Sequence, residues 1–494
     1  MRPRISWADL AGARVGVWGL GVEGRANLRR LRAMGLEPVL VDDRGPASVT
    51  TGEEVEVLAT AAGGLEALVR CDVVVKAPGI SRYRPEVRRL ADAGVAITGG
   101  LGLWLEGAEP GRVACVTGTK GKSTTTTVAA HLLRRLGYPA VACGNLGLPP
   151  WDPESPSAPS TSLPGAAPTP GTPESPHSGP ERRPGESGGS GGSGGEPGWW
   201  IVETSSFQAT DLSCSPAVVA VTALHPDHLD WHGDAARYYA DKLSACTQPG
   251  ATMTVAAGDD PLLRSYAAHL GPVVRWVGTP GPGPHWSDPL GLAGAHNRRN
   301  AGIAQAVLTA LGVAEAADEE ALREAADGFD GLESRLRPIG TVGGVTFVDD
   351  SLSTNVLSTL AALAAFPDRR VALLVGGHDR GIDYAPLAGA LARREAGTLV
   401  ATLPDNGPRI AAAIRAASGG RDPRPGGSGP GAGRAPRAWP IAETGSLEEA
   451  VAAAYAWARP DGVVLLSPAA PSFGRFADYR ARAAAFAAAM TSCT

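Results

Sequence analysis

The stretch that most constrains this chain is residues 112–127, which read RVACVTGTKGKSTTTT. An apolar run, a glycine turn and a run of hydroxyl residues follow one another, and this order predicts a buried strand, a tight turn and a helix. Gly118 and Gly121 let the backbone approach an anion closely, and the amides at the helix start can point at phosphate oxygens. Lys122 offers a charge to the outer phosphates of a nucleotide, and Ser123 offers a hydroxyl to Mg²⁺.

The turn departs from the standard phosphate-binding loop, which has four residues between its glycines. Here only Thr119 and Lys120 stand between Gly118 and Gly121. The alternative is an ordinary Gly/Ser/Thr-rich turn at the start of a helix. The apolar strand before the turn and the helical pattern after it favour a phosphate site.

Composition bounds the rest of the chain. Its 494 residues suffice for about three domains. A net charge of −5 is unlike that of a nucleic-acid-binding domain, and no apolar run reaches the length of a membrane span. The N-terminus leads directly into a first strand and does not read as a secretory signal. We therefore expect a cytoplasmic protein with no nucleic-acid or membrane partner.

Lysine is rare in this sequence. It occurs only at positions 76, 120, 122 and 242, which leaves 41 arginines among the 45 basic residues. A compact ammonium group and a planar guanidinium group are not interchangeable, so a lysine that persists in such a chain indicates a position where arginine cannot substitute. Two of the four lysines lie in the phosphate loop.

The N-terminal part predicts a βαβ unit. An apolar run over 13–18 leads into Gly19–Gly24, which reads Gly-x-Gly-x-x-Gly, and a strand over 37–41 ends in Asp42-Asp43-Arg44. This pattern is typical of a dinucleotide site, but the same turn can hold any nucleotide diphosphate or serve only as a tight turn. We expect this first domain to span residues 1–111.

The central part is expected to span residues 112–336. It is interrupted by residues 152–197, which consist almost entirely of Pro, Gly, Ser, Thr, Glu and Arg. This segment lacks the apolar content to offset its ordering entropy, so it predicts a disordered surface insertion. A strand over 199–203 follows and ends in a carboxylate, Glu203.

Several polar side chains follow in the central part. The loop over 224–233 carries three histidines and two aspartates but no zinc spacing, so it suits one or two Mg²⁺ ligands better. Lys242 lies in a helical segment, where the alternative is a solvated surface lysine. Asn297 and Asn300 lie in a polar turn that opens an alanine-rich helix, where they either read a base edge or cap the helix.

The C-terminal part, residues 337–494, alternates strands with alanine-rich helices and carries a second Pro/Gly/Arg-rich insertion over 419–436. Its strands are predicted at 345–348, 371–375, 398–403 and 463–466. This is βαβ patterning with a parallel sheet. The chain is therefore expected to be an α/β protein of three domains: a Rossmann-like N-terminal domain, a central P-loop ATPase-like domain and a C-terminal Rossmann-like domain.

Together these motifs resemble the Mur ligase family of ATP-dependent amide-bond ligases. The family's shortened phosphate loop matches residues 117–124. Further motifs follow in the right order, namely Gly144–Gly147, Glu203–Gln208, the Asp227–His228 pair, Gly294–Asn300, Asp350 and Leu466–Pro468. Within the family, Gly19–Gly24, Ala77–Ile80 and Ser205–Gln208 look most like the muramoyl-alanine–glutamate ligases. The resemblance covers nearly the whole chain apart from the two insertions.

The resemblance implies which ligand each domain holds. The first domain would bind the UDP of UDP-N-acetylmuramoyl-L-alanine, the second would bind ATP, and the third would deliver glutamate. Residues implied at the nucleotide sugar are Val22, Glu23, Asp42, Asp43, Arg44, Asn145, Ser206 and Gln208. Residues implied at ATP are Gly118, Thr119, Lys120, Gly121, Lys122, Ser123, Thr124, Asn297, Asn300, Arg335 and Asp350. Residues implied at glutamate are Thr354, Arg380, Ser472 and Tyr479.

The resemblance also implies two Mg²⁺ ions and a mechanism. Ser123 and Glu203 would bind one ion, and His228 and Lys242 would serve the second. The matching lysine of the family is carbamylated, a reaction that arginine cannot undergo. The catalytic residues that the resemblance implies are Lys122, Glu203, His228 and Lys242. ATP would phosphorylate the alanine carboxylate, and the amine of glutamate would attack the resulting acyl phosphate.

The glutamate site departs from the usual pattern of the D-glutamate-adding enzymes. Leu352 replaces a lysine, Arg380 stands where a lysine is usual, and Tyr479 stands where a phenylalanine is usual. The loop over 228–233 and the segment over 379–383 resemble a subfamily that adds L-glutamate, which a separate epimerase then inverts. We therefore expect an L-glutamate ligase, which acts as a monomer and is functionally linked to an epimerase.

Other activities share some of these motifs. The first is the same ligation with D-glutamate. A folylpolyglutamate-type ligase shares the phosphate loop but not the first domain. A nicotinamide-dependent oxidoreductase would use Gly19–Gly24 and leave the phosphate loop, Glu203 and Lys242 unexplained. A nucleotide-binding protein without catalysis would leave the apparent metal ligands unexplained.

Overall fold

The computed structural model describes residues 2, 4–45, 56–155, 198–278, 285–292, 294–379, 381–417, 439–472 and 474–493. These residues form three sheets. They group into two compact units, one of Met1–Cys115, Ala130–Val219 and Asp241–Thr252 and one of Val116–Ala129, Ala220–Ala240 and Met253–Thr494. The division into domains at residues 111 and 336 stays a prediction.

The first sheet is a small doubly wound sheet of parallel strands in the order β3-β2-β1-β4-β5. The strands are β1 Val15–Trp18, β2 Val39–Asp42, β3 Val57–Ala59, β4 Val73–Lys76 and β5 Ala96–Thr98. The helices are α1 Val22–Ala33, α2 Leu65–Val69, α3 Pro85–Asp92 and α4 Gly100–Gly107. The chain starts in the middle and adds strands first to one side and then to the other. Ligands of such sheets bind where the strand order reverses, at the carboxyl ends of β1 and β4.

The second sheet has six strands in the order β11-β10-β9-β6-β8-β7. The strands are β6 Val113–Thr117, β7 Ala140–Gly144, β8 Trp199–Glu203, β9 Val218–Val221, β10 Met253–Ala257 and β11 Val274–Val277. The helices are α5 Lys122–Arg135, α6 Ser206–Ala209, α7 Leu229–His232, α8 Ala235–Leu243, α9 Pro261–Ser265, α10 Ala295–Ala310 and α11 Glu319–Ala326. Strand β6 is fully buried, as its apolar run predicts.

The third sheet has six strands in the order β12-β13-β17-β14-β15-β16. The strands are β12 Arg337–Val342, β13 Val345–Asp349, β14 Val371–Val375, β15 Thr398–Thr402, β16 Ile441–Glu443 and β17 Val463–Leu466. The helices are α12 Val356–Ala364, α13 Ala385–Arg393, α14 Gly407–Ala417, α15 Leu447–Ala458 and α16 Tyr479–Thr491. Apolar side chains on both faces of this sheet are buried against helices, so β14 and β17 are buried throughout.

Helical turns of other types connect these elements. The 3₁₀ turns are Ala8–Leu10, Pro110–Arg112, Ser244–Cys246, Ala267–His269, His285–Leu290 and Ala314–Ala317. A π-type turn over Thr60–Gly64 precedes α2. Among the described residues, no helix is both long and apolar enough to cross a membrane.

Two sequence expectations are wrong in detail. The third sheet is not wholly parallel, because β12 pairs antiparallel with β13 through a turn at Gly343 and Gly344, whose φ angles are 53° and 84°. Two adjacent glycines with positive φ are the usual signal of such a hairpin.

The first insertion does not begin at Asp152. That side chain is buried and forms an ion pair with Arg29, and the neighbouring Trp151 donates a hydrogen bond from Nε1 to Asn27 Oδ1 at 2.8 Å. The polar composition of residues 152–155 predicted disorder, but contacts of the Trp151 and Asp152 side chains fix the start of this segment. The rest of that insertion, 156–197, and the insertion over 419–436 lie outside the described residues.

Candidate active site

The phosphate loop has the predicted backbone form. Gly118 and Gly121 have φ angles of 132° and 89°, a region that glycine adopts without strain. A Cβ at Gly118 would lie 2.2 Å from Thr222 Oγ1, and one at Gly121 would lie 2.5 Å from Asn300 Oδ1. Neither position can therefore hold a larger residue. Lys122 is the first residue of α5, so the loop delivers its amides to the N-terminus of that helix.

The loop is held in shape by the segment that follows β9. Thr119 N donates to Ala223 O at 2.8 Å, and Thr119 Oγ1 donates to His225 O at 2.9 Å. Thr222 Oγ1 donates to Lys120 O at 2.5 Å. The loop backbone is therefore fixed without the help of a nucleotide.

A pocket beside the loop brings together seven of the residues predicted at ATP. These are Lys120, Gly121, Thr124, Asn297, Asn300, Arg335 and Asp350. Sequence reasoning missed the other side chains of the lining. They are Leu292, His296, Leu332, Leu336, Ser353, Leu357, Ser358, Ala361 and Ala362. The sequence could have revealed His296, because it lies inside the motif 294–300. Burial lowers the pKa of His296 to about 4, so its ring is neutral at pH 7.

Charged and polar groups in this pocket lack full compensation. Burial lowers the pKa of Lys120 to about 8 and raises the pKa of Asp350 to about 6. Asn300 Oδ1 and Arg335 Nε are buried without a hydrogen-bond partner among the described residues. Buried polar atoms are normally satisfied, so this pattern indicates a site that a polar ligand completes.

Asp350 also shapes the backbone around Arg335. Both neighbours of Arg335, Ser334 and Leu336, have the positive φ angles of 57° and 48°. Asp350 Oδ1 accepts a hydrogen bond from Leu336 N at 3.2 Å, and Asp349 Oδ2 accepts one from Ser334 Oγ at 2.9 Å. Non-glycine residues in this conformation are strained and cluster at functional sites. The two aspartates therefore hold Arg335 in place, where its Nη2 donates to Ser123 Oγ at 3.0 Å.

Asn297 and Asn300 do not cap their helix. The N-cap of α10 is Gly294, which has no side chain, and both asparagines lie buried within the first turns. Asn300 Nδ2 donates to Asn297 Oδ1 at 3.3 Å. Of the two alternatives, helix capping is wrong, and both amides face the pocket.

Glu203 has the features of a metal ligand. It is the last residue of β8 and is 3% exposed. Asn145 Nδ2 donates to its Oε1 at 2.7 Å, whereas Oε2 is buried with no hydrogen-bond partner in the described part of the chain. A buried carboxylate oxygen without a donor fits a hard cation such as Mg²⁺. Asn145, predicted at the muramoyl-alanine part, thus also orients Glu203.

The other predicted metal ligands differ in exposure. Lys242 is 2% exposed, so the alternative of a solvated surface lysine is wrong. His228 is exposed and has the left-handed φ angle of 51°. Among the described residues, no three His, Cys, Asp or Glu side chains gather closely enough to hold a metal by themselves. A cation held by these residues would therefore need ligands of other types, such as the predicted Ser123 hydroxyl and the predicted carbamylated Lys242.

Five of the predicted nucleotide-sugar residues, Val22, Glu23, Asp42, Asp43 and Arg44, follow or end strands β1 and β2. Asp42 Oδ2 accepts a hydrogen bond from Leu20 N at 2.8 Å, and Asp42 Oδ1 accepts one from Arg44 N at 3.0 Å. Asp43 pairs with Arg84 at 2.5 Å. Val22, at the start of α1, is 54% exposed.

Helix α6 joins this group through Gln208. Its Oε1 accepts from Ser205 N at 2.7 Å, and its Nε2 donates to Glu23 Oε1 at 2.7 Å. Ser206 is buried in the same short helix. The structure therefore joins the glycine turn, through Glu23, to the motif over 205–208, although they are far apart in sequence.

The predicted glutamate residues are dispersed over several turns. Ser472 lines a pocket at the carboxyl ends of β14 and β15 together with Gly376, Gly377, Arg475, Phe476 and Arg482. Thr354 is exposed in the turn after β13, and Tyr479 begins α16. Arg380 lies outside the described residues. Arg482 was missed by sequence reasoning, although it is buried and donates to Ser351 O at 2.7 Å.

Two family profiles match this chain. The profile "Mur ligase MurD-like, N-terminal domain" matches residues 13–99, and the profile "Mur ligase, glutamate ligase domain" matches residues 334–470. The chain is also 38% identical to UDP-N-acetylmuramoyl-L-alanine–L-glutamate ligase of Xanthomonas oryzae pv. oryzae (strain MAFF 311018), across 98% of this chain and 96% of the relative.

The chain belongs to the Mur ligase family. Enzymes of the same name from a Micromonospora species and from Salinispora tropica are each 37% identical to it and cover 98% of this chain, and the alignments cover 97% and 98% of those relatives. The predicted resemblance to the L-glutamate-adding subfamily is confirmed by these full-length relatives. This Mur ligase is thus an ATP-dependent ligase that forms amide bonds.

Solved structures agree with the fold. UDP-N-acetylmuramate-alanine ligase MurC of Thermotoga maritima has a TM-score of 0.54 at 16% identity and covers 98% of this chain and 100% of its own. The MurF ligase of the same organism in complex with ADP has a TM-score of 0.51 at 14% identity, over 98% and 96% of the two chains. The predicted α/β architecture of Rossmann-like and P-loop parts is confirmed.

Proposed function

We propose that this Mur ligase joins L-glutamate to UDP-N-acetylmuramoyl-L-alanine at the expense of ATP, in the synthesis of the peptidoglycan precursor. The observation that carries the proposal is the pocket beside the phosphate loop. Lys120, Arg335 and Asp350 line it, and their buried charged groups are not fully compensated by the protein. The full-length relatives indicate the substrates, since they are named UDP-N-acetylmuramoyl-L-alanine–L-glutamate ligases.

The positive charge of Lys122 assists the first step, the transfer of the γ-phosphate to the alanine carboxylate. In the described structure its Nζ donates to Gly118 O at 2.9 Å, so the ammonium group is held over the loop. Attack of the alanine carboxylate on the γ-phosphate brings two anions together, and a fixed cation offsets that repulsion. The products of this step are an acyl phosphate and ADP. The amine of glutamate then attacks the acyl carbon, and phosphate leaves as the amide forms.

Mg²⁺ is part of the proposal. Glu203 and Ser123 would hold one ion and His228 and Lys242 the second, with Lys242 carbamylated. The ions would supply Lewis-acid neutralisation of the phosphate charge. The unpartnered Oε2 of Glu203 supports this assignment, and Asn145 keeps the other carboxylate oxygen oriented.

The nucleotide sugar would lie at the turn over 19–24, with Asp42, Asp43 and Arg44 near its uracil and ribose. Asn145, Ser206 and Gln208 would contact the muramoyl-alanine part. In the third sheet, Thr354, Arg380, Ser472 and Tyr479 would receive glutamate. We propose that the enzyme works in the cytoplasm as a monomer and depends on an epimerase that acts on its product.

The test is a comparison of the two glutamate enantiomers. Purified protein receives UDP-N-acetylmuramoyl-L-alanine, ATP, Mg²⁺ and either L- or D-glutamate, and phosphate release is measured together with product mass. We expect turnover with L-glutamate and a kcat/KM at least tenfold lower with D-glutamate. Turnover with D-glutamate alone would contradict the stereochemical part. No turnover with either would contradict the substrate assignment.

A variant connects stereochemistry to the third sheet. Leu352 stands where the D-glutamate enzymes usually carry a lysine, in the turn after β13. Leu352→Lys is expected to lower the preference for L-glutamate, because it restores a cation beside the amino-acid site. Val273→Lys, at an exposed valine that precedes β11, is the matched control and is expected to leave the preference unchanged.

A further inference from the structure

Glu23 occupies an unusual place for a carboxylate. It lies in the first turn of the twelve-residue helix α1, within the glycine motif Gly19–Gly24. The N-terminus of a helix attracts anions, and the turn leaves open space, since a Cβ at Gly21 would meet no atom within 4 Å. A site for a diphosphate that carries an ionised glutamate would set two anions against each other.

The structure ties down one oxygen of Glu23. Gln208 Nε2 donates to Oε1 at 2.7 Å, and Gln208 is itself fixed because its Oε1 accepts from Ser205 N at 2.7 Å. Among the residues that the structure describes, no hydrogen bond to Oε2 is found. Glu23 thus has a fixed orientation and one oxygen left for a ligand.

Lys76, whose charge acts on Glu23, is paired with another acid. Lys76 is fully buried, with its Nζ 2.5 Å from Asp211 Oδ2 and 2.9 Å from Ile80 O, to which it donates. Arg82 Nη1 lies 3.0 Å from Asp211 Oδ1. No ion pair of Glu23 itself occurs within the described ranges. We name Lys76, Arg82 and Asp211 the Lys76–Asp211 cluster.

Two charged groups act on Glu23 besides its own burial. Burial, aided by the charge of Asp211 beyond α6, raises the pKa of Glu23 to about 7. The charge of Lys76, at the end of β4, and the hydrogen bond from Gln208 act in the opposite direction. A half-buried carboxyl group without a cation of its own takes up a proton more readily than a solvated one.

We propose that Glu23 binds the nucleotide sugar as a neutral carboxylic acid that donates a hydrogen bond from Oε2 to a phosphate oxygen. This inference rests on the proposed function and adds the protonation state of the site. The proton removes the repulsion between carboxylate and diphosphate and turns Glu23 from an acceptor into a donor. Gln208 keeps Oε1 as the acceptor, so the donor is directed away from α6.

Proton uptake on binding is the direct measurement. The nucleotide sugar is titrated into the wild-type protein at pH 8 in buffers of different ionisation enthalpy, and the calorimetric slope gives the number of protons bound. A group with a pKa of about 7 in the free protein is expected to take up about 0.9 proton at pH 8 when the complex holds it fully protonated. The diester diphosphate of the ligand itself has no group that titrates near this pH.

A kinetic profile gives the second measurement. If only the protonated form binds, KM for the nucleotide sugar rises about fivefold between pH 7 and pH 8. Glu23→Gln keeps a donor of the same shape, so its KM is expected to be flat over that range and its proton uptake to vanish. The matched control is Glu66→Gln on α2, where Glu66 pairs with Arg89 at the surface, and it is expected to follow the wild-type profile.

The outcomes separate this inference from the proposed function. Failure of the nucleotide sugar to bind the wild-type protein would overturn both. Tight binding with no proton uptake would overturn the inference alone and would make Glu23 an acceptor, for example from a sugar amide. The wild-type calorimetry decides the matter even if Glu23→Gln fails to fold.

Discussion

The nucleotide pocket and the Lys76–Asp211 cluster both bury charged groups, but they leave them in opposite states. In the cluster, Asp211 has two cations within 3.0 Å. In the pocket, Asp350 accepts hydrogen bonds from Ser467 Oγ at 2.7 Å and from Leu336 N at 3.2 Å, but it forms no ion pair with any described cation. Burial therefore raises its pKa to about 6.

This difference separates two uses of buried charge. A charge compensated within the protein supports folding, and its removal leaves the partner exposed to a low-dielectric surrounding. A charge left uncompensated lowers stability until a ligand completes it, and such groups are typical of functional sites. Substitutions in the cluster should therefore affect stability first, and those in the pocket should affect activity first.

The largest effect is expected from Lys76→Met in the cluster. It leaves Asp211 buried with only Arg82 as a cation, so the free energy of unfolding should fall by about 3–5 kcal/mol. Chemical denaturation measures this loss. The double variant Lys76→Met/Asp211→Leu removes both charges and should recover most of it. A loss below about 1 kcal/mol for the single variant would mean that the cluster is not structural.

Lys122→Met in the phosphate loop should give the converse result. The loss of a fixed charge at the transferred phosphate is expected to lower kcat/KM for ATP by about 100- to 1000-fold, with unfolding changed by less than about 0.5 kcal/mol. Phosphate release and denaturation on the same samples measure the two effects. Arg135→Met, at the other end of α5, is the matched control. Equal losses of stability and activity would contradict the expectation that substitutions in the nucleotide site affect activity first.

The sequence predicted the pocket better than the cluster, for a physical reason. Residues 117–124 form a local motif, in which spacing alone fixes the turn and the helix start. Asp350 and Arg335 were predicted only through the resemblance to a family, because no local pattern places them beside the loop. The scarcity of lysine marked Lys76, but no pattern along the chain reveals that Asp211 is its partner.

The folds of the three sheets show the same limit. Strands β14 and β17 were predicted at their observed residues because each is a continuous apolar run. The edge strand β12 is half exposed and contains Pro338, so its composition hid its pairing with β13. The anchoring of Asp152 by Arg29 was also hidden, since a contact between distant residues overrides a polar composition.

The pocket makes a further prediction about pH. Asp350 has a folded pKa of about 6, above the value of about 3.9 for an unfolded chain. The folded state therefore binds the proton of Asp350 more tightly than the unfolded chain does. The stability that this proton contributes is lost as the pH rises from about 4 through 6. Asp350→Asn removes the ionisation, so its stability relative to the wild type should rise by about 2–3 kcal/mol between pH 4 and pH 7.5.

Denaturation of both proteins across that range provides the measurement. Asp349→Asn is not a suitable control, because Asp349 holds Ser334, so the control is Asp368→Asn, in the exposed turn before β14. A constant difference between Asp350→Asn and the wild type would mean that Asp350 is already compensated, like Asp211. The two regions would then no longer differ.

The smallest effect is expected at Lys120, whose ammonium group loses its proton as the pH rises through its lowered pKa of about 8. Bound phosphates favour the charged form, so ADP binding should take up a proton, and Kd for ADP should rise about fivefold between pH 8 and pH 9. Lys120→Arg keeps its charge throughout and should show a flat profile. Calorimetry with ADP measures both. An equal rise in the two proteins would place the titrating group elsewhere in the pocket, and a flat profile in both would mean that Lys120 is compensated before the nucleotide arrives.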